Sequence, residues 1–147
     1  RVQNANRLFG DAGTAFEVAA VVPLDARHAR LVTRPDRDAL GAYATPRTID
    51  VFVVQSLVDV DTPPLERRGV HWRDRTRPGI RYVIVIASAG PFVLAHELGH
   101  YFGNGHSDVA GNLMSYTRGE GDPFLDVAQL GRIRRASRSL ARAFRIR

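Results

Sequence analysis

The 147-residue chain contains no cysteine, no lysine, one methionine and one tryptophan. The absence of cysteine excludes disulfide bonds and thiolate metal ligands, although it does not identify the compartment. No stretch approaches the roughly 18 uninterrupted apolar residues of a membrane span, so we predict none. The chain begins at Arg1 without a recognisable signal peptide. We therefore expect a processed or trimmed piece of a secreted or extracellular protein, acting as a monomer.

All 21 basic residues are arginine, and the formal net charge is +6. Such a charge can attract nucleic acid, anionic membranes or acidic proteins. No zinc-knuckle, RNA-recognition or helix-turn-helix pattern accompanies it. We therefore favour a solvated arginine-rich surface over a nucleic-acid-binding one. The length and the 44% hydrophobic content fit one globular domain with its own core.

The most informative stretch runs from His96 to His106, with the sequence HELGHYFGNGH. Histidines four residues apart lie on one face of a helix, where their imidazoles can occupy two corners of a zinc tetrahedron. Glu97 lies about 100° further round the helix, which suits a general base acting on a metal-bound water. Gly103, three residues after His100, can adopt the left-handed conformation that ends a helix. His106 can then return as a third ligand, and three protein ligands with an open position are typical of catalytic zinc.

The competing interpretation is an amphipathic core helix that carries three incidental histidines. The chain has five histidines, thirteen glycines and four glutamates. Multiplying these frequencies gives the five fixed positions a chance on the order of one in 10⁵ over all starting points. We therefore interpret the stretch as a Zn²⁺ site.

The same residues resemble the long zinc signature of the metzincin clan of metalloproteases, and Met114 follows His106 by eight residues, as the Met-turn of that clan would. Residues 112–116, Asn-Leu-Met-Ser-Tyr, resemble that turn. The resemblance implies that His96, His100 and His106 bind zinc. It also implies that Glu97 is the general base and later the proton donor to the leaving amine. Met114 would form a hydrophobic floor beneath the metal rather than a ligand.

Tyr116 lies two residues after the methionine. It resembles the tyrosine that binds zinc or the tetrahedral intermediate in astacins and serralysins. A tyrosine that lines the primed-side pocket is the alternative. Ser107 resembles the residue after the third histidine in matrixins, whereas Ser115 with Tyr116 resembles serralysins and pappalysin-like enzymes. The resemblance is therefore to the clan and not to one subfamily.

Hydrophobic periodicity and turn residues predict the remaining elements. We expect helices at residues 2–12 and about 36–43, a zinc helix beginning near Pro91, and a long closing helix at about 124–144. We expect strands at residues 15–24, 49–54, 69–73 and 82–87. The strands at 15–24 and 82–87 should be buried, and the strand at 69–73 should lie at a sheet edge. The lone histidine His28 is expected to be solvated.

This order of elements resembles that of the metzincins. It implies an α+β fold with a mixed twisted sheet, a backing helix, a zinc-site helix and a small C-terminal subdomain ending in a long helix. Residues 1–147 would form one catalytic domain, whose cleft separates an N-terminal part, about 1–103, from a C-terminal part, about 104–147. The usual first strand of the clan would lie before Arg1. Either the sequence is a piece of a longer chain, or the fold has four strands.

The expected function is that of a zinc-dependent endopeptidase that hydrolyses peptide bonds by Glu97-assisted attack of a metal-bound water. The edge strand would let an extended protein or peptide substrate add to the sheet. Two alternatives stay open: a zinc-dependent hydrolase of non-peptide amides, and a basic nucleic-acid-binding module with a vestigial metal site. The presence of Glu97 argues against the second. Asp59, Asp61 and Asp74 match no calcium-loop spacing.

Overall fold

The computed structural model describes residues 1–145 and the side chains of residues 1–143. The described residues contain four α-helices: α1 (Val2–Phe9), α2 (Arg34–Ala39), α3 (Val93–Tyr101) and α4 (Val127–Arg145). The same residues contain five strands: β1 (Arg30–Leu31), β2 (Val51–Val54), β3 (Ser56–Leu57), β4 (Gly69–Arg73) and β5 (Arg81–Ile86). This content confirms the α+β class. Within residues 1–145, no helix combines the length and the apolar character that a membrane crossing requires.

The main sheet has three strands in the order β2-β5-β4. β5 pairs in parallel with β2 and antiparallel with β4, so the sheet is mixed as predicted. The central position of β5 explains why Val83, Ile84 and Val85 are buried on both faces. β4 lies at one edge and has the predicted bounds. β1 and β3 form a separate short parallel pair.

The chain folds as two compact units. Val18–Val93 forms the first, here called the sheet unit. Arg1–Glu17 and the chain from Leu94 onward form the second, here called the helical unit. The predicted boundary near Gly103 concerned the two sides of a catalytic cleft, and it stays a prediction, as does a single catalytic domain.

The core of the sheet unit is a cluster of buried apolar side chains from the strands and the α2 region: Leu31, Leu40, Phe52, Val54, Leu57, Tyr82 and Ile84. α2 begins with a capping box in which Thr33 and Asp36 satisfy each other's backbone N–H groups. The Tyr82 hydroxyl donates to the Arg37 carbonyl at 2.6 Å. The Trp72 indole donates to Asp38 at 2.7 Å. These bonds tie α2 to the sheet, and the role of a metzincin backing helix stays a prediction.

Residues 15–24 do not form the predicted buried strand. They have no regular secondary structure, and Val18, Val21 and Val22 are 57%, 88% and 78% exposed. Apolar composition alone favours a buried strand, but a strand also needs a partner for its backbone groups. No described strand pairs with this segment. The prediction was therefore wrong.

His28 is also placed differently from the prediction. It is buried rather than solvated, and its ring packs edge-on against Tyr43 at 5.3 Å. Its Nε2 accepts a hydrogen bond from Arg27 at 3.2 Å. A short 3₁₀ turn at Ala26–His28 directs the ring inward.

The helical unit is built on a cluster of phenylalanines. Phe9 of α1 contacts Phe16 and Phe102 edge-on, with ring centroids 5.3 and 5.7 Å apart. The predicted first helix ends as expected, because a 3₁₀ turn follows α1 and Gly13 has φ +68°. Ile133 of α4 is fully buried. α4 begins three residues later than predicted, since Phe124 bridges to Asn112 instead of starting the helix.

Candidate metal centre

Three imidazole nitrogens converge at the C-terminal end of α3. His96 and His100 lie one turn apart on this helix, and their Nε2 atoms are 3.1 Å apart. His106, beyond the helix, brings its Nε2 within 3.1 Å of His100 Nε2. The ligand atoms of all three lie within 4.8 Å of one another. The structure therefore brings together the three histidines that the spacing predicted.

These separations suit a tetrahedral zinc ion. With Zn–N bonds of about 2.0–2.1 Å, two nitrogens at tetrahedral corners are about 3.3–3.4 Å apart. The 3.1 Å separations in the cluster are close to this distance. His96 and His106 offer ligand atoms within 4.8 Å of each other.

The hydrogen bonds of His96 and His100 determine which nitrogen carries the proton. His96 Nδ1 lies 2.7 Å from the Leu113 carbonyl, and His100 Nδ1 lies 2.8 Å from the Asn104 carbonyl. A carbonyl oxygen can only accept, so each Nδ1 must be the protonated nitrogen. In the neutral ring, Nε2 then carries a lone pair. The two Nε2 atoms consequently face each other with lone pairs and no hydrogen between them.

Burial favours the neutral form of both rings. It lowers the pKa of His96 and of His100 below the ordinary value, because a poorly hydrated site disfavours the imidazolium form. A positive charge on His106 would also lower the pKa of both rings. Neutral imidazoles with opposed lone pairs repel each other unless they share a cation. The donor set therefore fits a divalent metal, with Zn²⁺ preferred by imidazole nitrogen and a tetrahedral arrangement.

The turn after α3 places one of the supporting carbonyls. Gly103 has φ +89°, a left-handed value that glycine adopts without strain. Its N–H donates to the His100 carbonyl at 2.9 Å, and the Asn104 N–H donates to the Gly99 carbonyl at 3.0 Å. This closes the helix as predicted. The carbonyl of Asn104 is then directed at His100 Nδ1.

Met114 packs directly beneath the histidine helix. It is fully buried, and a Cβ added to Gly99 would lie only 2.4 Å from its Sδ. The contact explains why position 99, between the two helical histidines, has no side chain. The Met114 carbonyl also accepts from the Ser107 N–H at 3.0 Å, next to His106. This placement is what a hydrophobic floor requires, and that role stays a prediction.

Sequence reasoning missed the amide pair that holds the methionine loop. Asn112 and Gln129 are buried, and their side-chain amides exchange two hydrogen bonds, of 2.9 and 3.0 Å. Asn112 Oδ1 also accepts from the Met114 N–H. The bonds therefore attach the loop, including the Leu113 carbonyl that supports His96, to the first turn of α4. The available signal was Gln129 itself, a polar residue four positions before the buried Ile133.

Arg132 supports the second helical histidine in a similar way. Its Nε donates to Asn104 Oδ1 at 2.8 Å, and the carbonyl of Asn104 accepts from His100. The prediction of a solvated arginine surface therefore does not describe Arg132. Gln129 and Arg132 are three residues apart, so they lie on one face of α4. One helix face thus supports both carbonyls that orient the histidines.

Glu97 and Tyr116 lie next to the cluster in different settings. Glu97 is buried in α3 and lies between His96 and His100 in the sequence. It is not among the converging ligand groups. Tyr116 is 70% exposed, and its ring lies 4.6 Å from that of His106 and 6.0 Å from that of His96. Its exposure argues against a purely structural tyrosine, but not against one that lines a substrate pocket.

The other candidate metal ligands are not gathered into a site. Within residues 1–145, the three histidines form the one group of three or more His, Asp or Glu side chains close enough to share an ion. Asp59 accepts hydrogen bonds from the backbone of Asp61 and from Arg67, and Asp74 accepts from Thr76 and Arg77. These acids stabilise their own loops.

Comparison of the chain with protein-family models, with curated proteins and with solved structures gives no match. The resemblance to metzincins therefore rests on residues 96–116. The chemistry of the histidine cluster rests on its own geometry.

Proposed function

We propose that this protein is a zinc-dependent endopeptidase of the metzincin type. The observation that carries the proposal is the pair of neutral histidines, His96 and His100, whose Nε2 lone pairs face each other at 3.1 Å. Their Nδ1 protons are held by backbone carbonyls, which is the usual outer-sphere arrangement of zinc-binding histidine. His106 supplies a third nitrogen. Three nitrogen ligands leave a fourth position for water or substrate, as in catalytic sites.

The protein's own groups have separate tasks in this proposal. A bound zinc ion supplies Lewis acidity, which lowers the pKa of a coordinated water toward about 7 and polarises a carbonyl. The Glu97 carboxylate takes the proton of the attacking water and returns it to the nitrogen of the leaving amine. The C–N bond of the peptide breaks, and the water oxygen stays on the new carboxylate. Burial of Glu97 keeps bulk water from competing for that proton.

Tyr116 is placed to meet the substrate. Its ring packs against His106, and most of its surface is open to solvent. We assign its phenol as a hydrogen-bond donor to the oxyanion of the tetrahedral intermediate. The alternative, that it only lines the substrate pocket, predicts a different kinetic effect and is tested below.

A peptide substrate is preferred over a small amide because β4 is an edge strand. A peptide in extended conformation can pair with such an edge through its main chain. A small amide has no extended main chain that could pair with this strand. Comparing hydrolysis of an unfolded protein with hydrolysis of small aryl amides distinguishes the two substrate classes.

The decisive experiment combines metal analysis with digestion of an unfolded protein, with and without chelator. We expect one zinc per chain and hydrolysis that a chelator abolishes. His106→Ala should weaken zinc binding strongly, whereas Glu97→Gln should keep zinc and lose hydrolysis. Absence of zinc from carefully purified protein would refute the metal site. Full hydrolysis by Glu97→Gln would refute the role of Glu97 as general base.

A further inference from the structure

The sheet unit carries an open pocket whose lining is basic. The pocket has a volume of about 460 Å³ and is lined by Arg34, His71, Trp72, Arg73 and Arg75. Its size is within the range of pockets that bind small molecules or peptide side chains, roughly 300–1,000 Å³. None of its lining residues belongs to the histidine cluster, although His71, Trp72 and Arg73 are part of β4, the strand proposed above to pair with the substrate.

Two of the three arginines in this pocket keep an uncompensated charge. Arg34 forms an ion pair with Asp61. Arg73 and Arg75 are exposed, and among the described residues neither guanidinium has a hydrogen-bond or ion-pair partner. The local potential at the pocket is therefore positive.

The acids nearest in sequence to these arginines are already occupied by the protein. Asp38 Oδ1 accepts from the Trp72 indole at 2.7 Å and from the Arg75 backbone N–H at 3.2 Å. Asp74 is buried and paired with Arg77 at 2.9 Å. Neither carboxylate is available to neutralise the two exposed guanidinium groups.

Trp72 gives the pocket a fixed wall. Its indole nitrogen is held by Asp38, and the guanidinium of Arg37 lies 4.7 Å from the centre of its ring. Arg37 is itself buried and donates to the Val58 carbonyl at 2.7 Å. Because two contacts already fix the Trp72 ring, it loses little conformational entropy when a ligand binds.

Three of the five lining residues, His71, Trp72 and Arg73, belong to the edge strand β4. Asp74 donates its N–H to the Ile80 carbonyl at 2.9 Å, at the end of the β4–β5 ladder. Bonding directions alternate along an antiparallel ladder. The preceding residue, Arg73, therefore directs its N–H and C=O away from β5, as Gly69 does four residues earlier. The outward backbone groups of Gly69 and Arg73 are thus suited to pairing with an extended chain.

We propose that this pocket and edge bind an extended acidic segment of polypeptide, with an Asp or Glu side chain placed on Arg73 and Arg75. Guanidinium groups bind carboxylates through paired hydrogen bonds, which suits these two side chains. Main-chain pairing favours a polypeptide over a nucleic acid, which has no strand-forming backbone. This inference builds on the proposed peptidase function, because an acidic segment that binds here would belong to a preferred substrate.

Binding can be measured without catalysis. The metal-free chain, kept in excess chelator, is titrated into a fluorescent decapeptide that contains two Glu-Glu pairs, and into the same peptide with Gln at those positions. Fluorescence anisotropy should show the acidic peptide bound about five- to tenfold more tightly. Added salt should reduce the preference. The double variant Arg73→Gln/Arg75→Gln should lose it.

A matched control separates the pocket from net charge. Arg138→Gln/Arg142→Gln removes two exposed arginines of α4 and changes the charge equally, so it should keep the preference. Circular dichroism checks that both double variants fold. Equal loss in the two variants would overturn the proposal, as would equal binding of the Glu and Gln peptides. Equally strong competition by a single-stranded oligonucleotide of the same charge would also overturn it, because it would show binding to any polyanion.

The outcome is separable from that of the proposed function. If the zinc-loaded chain hydrolyses no peptide, the peptidase proposal fails, while the binding assay still reports on the pocket. If hydrolysis is intact but shows no preference for substrates with flanking Glu over Gln, and the binding assay shows none, the pocket inference alone is rejected.

Discussion

Replacing Gly99 by alanine tests the packing beneath the histidine helix, because the contact with Met114 predicts a loss of stability where an open helix would gain it. A Cβ at this position would lie 2.4 Å from Sδ and 3.1 Å from Cε of Met114. Met114 is fully buried, so its side chain cannot simply turn toward solvent. The added methyl group must therefore displace the methionine, the helix or both.

The two opposing contributions can be estimated. In an open helix, glycine-to-alanine substitution stabilises by about 0.5–1 kcal/mol, because alanine loses less backbone entropy. Overpacking in a close-packed core costs about 1–3 kcal/mol. We expect Gly99→Ala to lower the free energy of unfolding by about 1–2 kcal/mol. For a chain of this length, Tm should fall by roughly 3–6 °C.

The assay is urea unfolding of the metal-free protein, with Gly131→Ala as the control. A Cβ at Gly131 of α4 meets nothing closer than Arg135 Nη1 at 3.6 Å, an ordinary contact. Gly131→Ala should therefore raise the free energy of unfolding by about 0.5–1 kcal/mol. In a Met114→Ala background the Gly99→Ala penalty should disappear, because the clashing atoms are gone. Stabilisation by Gly99→Ala in the native background would refute the contact.

The remaining predictions concern the zinc support, the phenol and pH. Arg132→Ala should reduce zinc affinity about 10- to 100-fold in a chelator competition, because Asn104, whose carbonyl orients His100, loses its hydrogen bond from Arg132. The exposed control Arg138→Ala should leave the zinc affinity unchanged. If both variants bind zinc as tightly as the native chain, Arg132 does not support the site. Tyr116→Phe should lower kcat about 10²- to 10³-fold at nearly constant KM if the phenol binds the oxyanion, whereas a raised KM with normal kcat would identify a pocket-lining role. Burial lowers the folded-state pKa of His96 and His100, so the unfolded chain binds more protons as pH falls below about 6.5. The metal-free protein should therefore lose stability between pH 7 and 5.5 in urea titrations, and a gain in stability would contradict the burial argument.

Much of the candidate site could be predicted because its information is local. The spacing of His96 and His100 becomes a shared face as soon as the segment is helical, and Gly103 ends the helix by its own conformational freedom. The strands at β4 and β5 were also predictable, since β-branched and apolar runs bounded by turn residues favour strands wherever they pair. These features depend on neighbours within a few positions in the chain.

Features that depend on distant partners were not predictable. Residues 15–24 have the composition of a buried strand, yet they have no ladder partner and remain exposed. His28 was expected to be solvated, but a short 3₁₀ turn buries it. The amide pair of Asn112 and Gln129 joins residues that are 17 positions apart. Periodicity identifies which face of a segment is apolar, but it does not identify the segment that will cover it.

The sequence by itself determined which side chains can hold a metal, because helical spacing and a glycine turn are short-range properties of the chain. Only the tertiary structure decided their chemical state. The carbonyls of Leu113 and Asn104 hold the Nδ1 protons, and burial favours the neutral form of the rings. The residues that carry those carbonyls are held through the side chains of Asn112 and Asn104, which accept hydrogen bonds from Gln129 and Arg132 of α4 only after the chain has folded. The tautomer of a histidine depends on the atom that its other nitrogen meets, and that atom is supplied by packing.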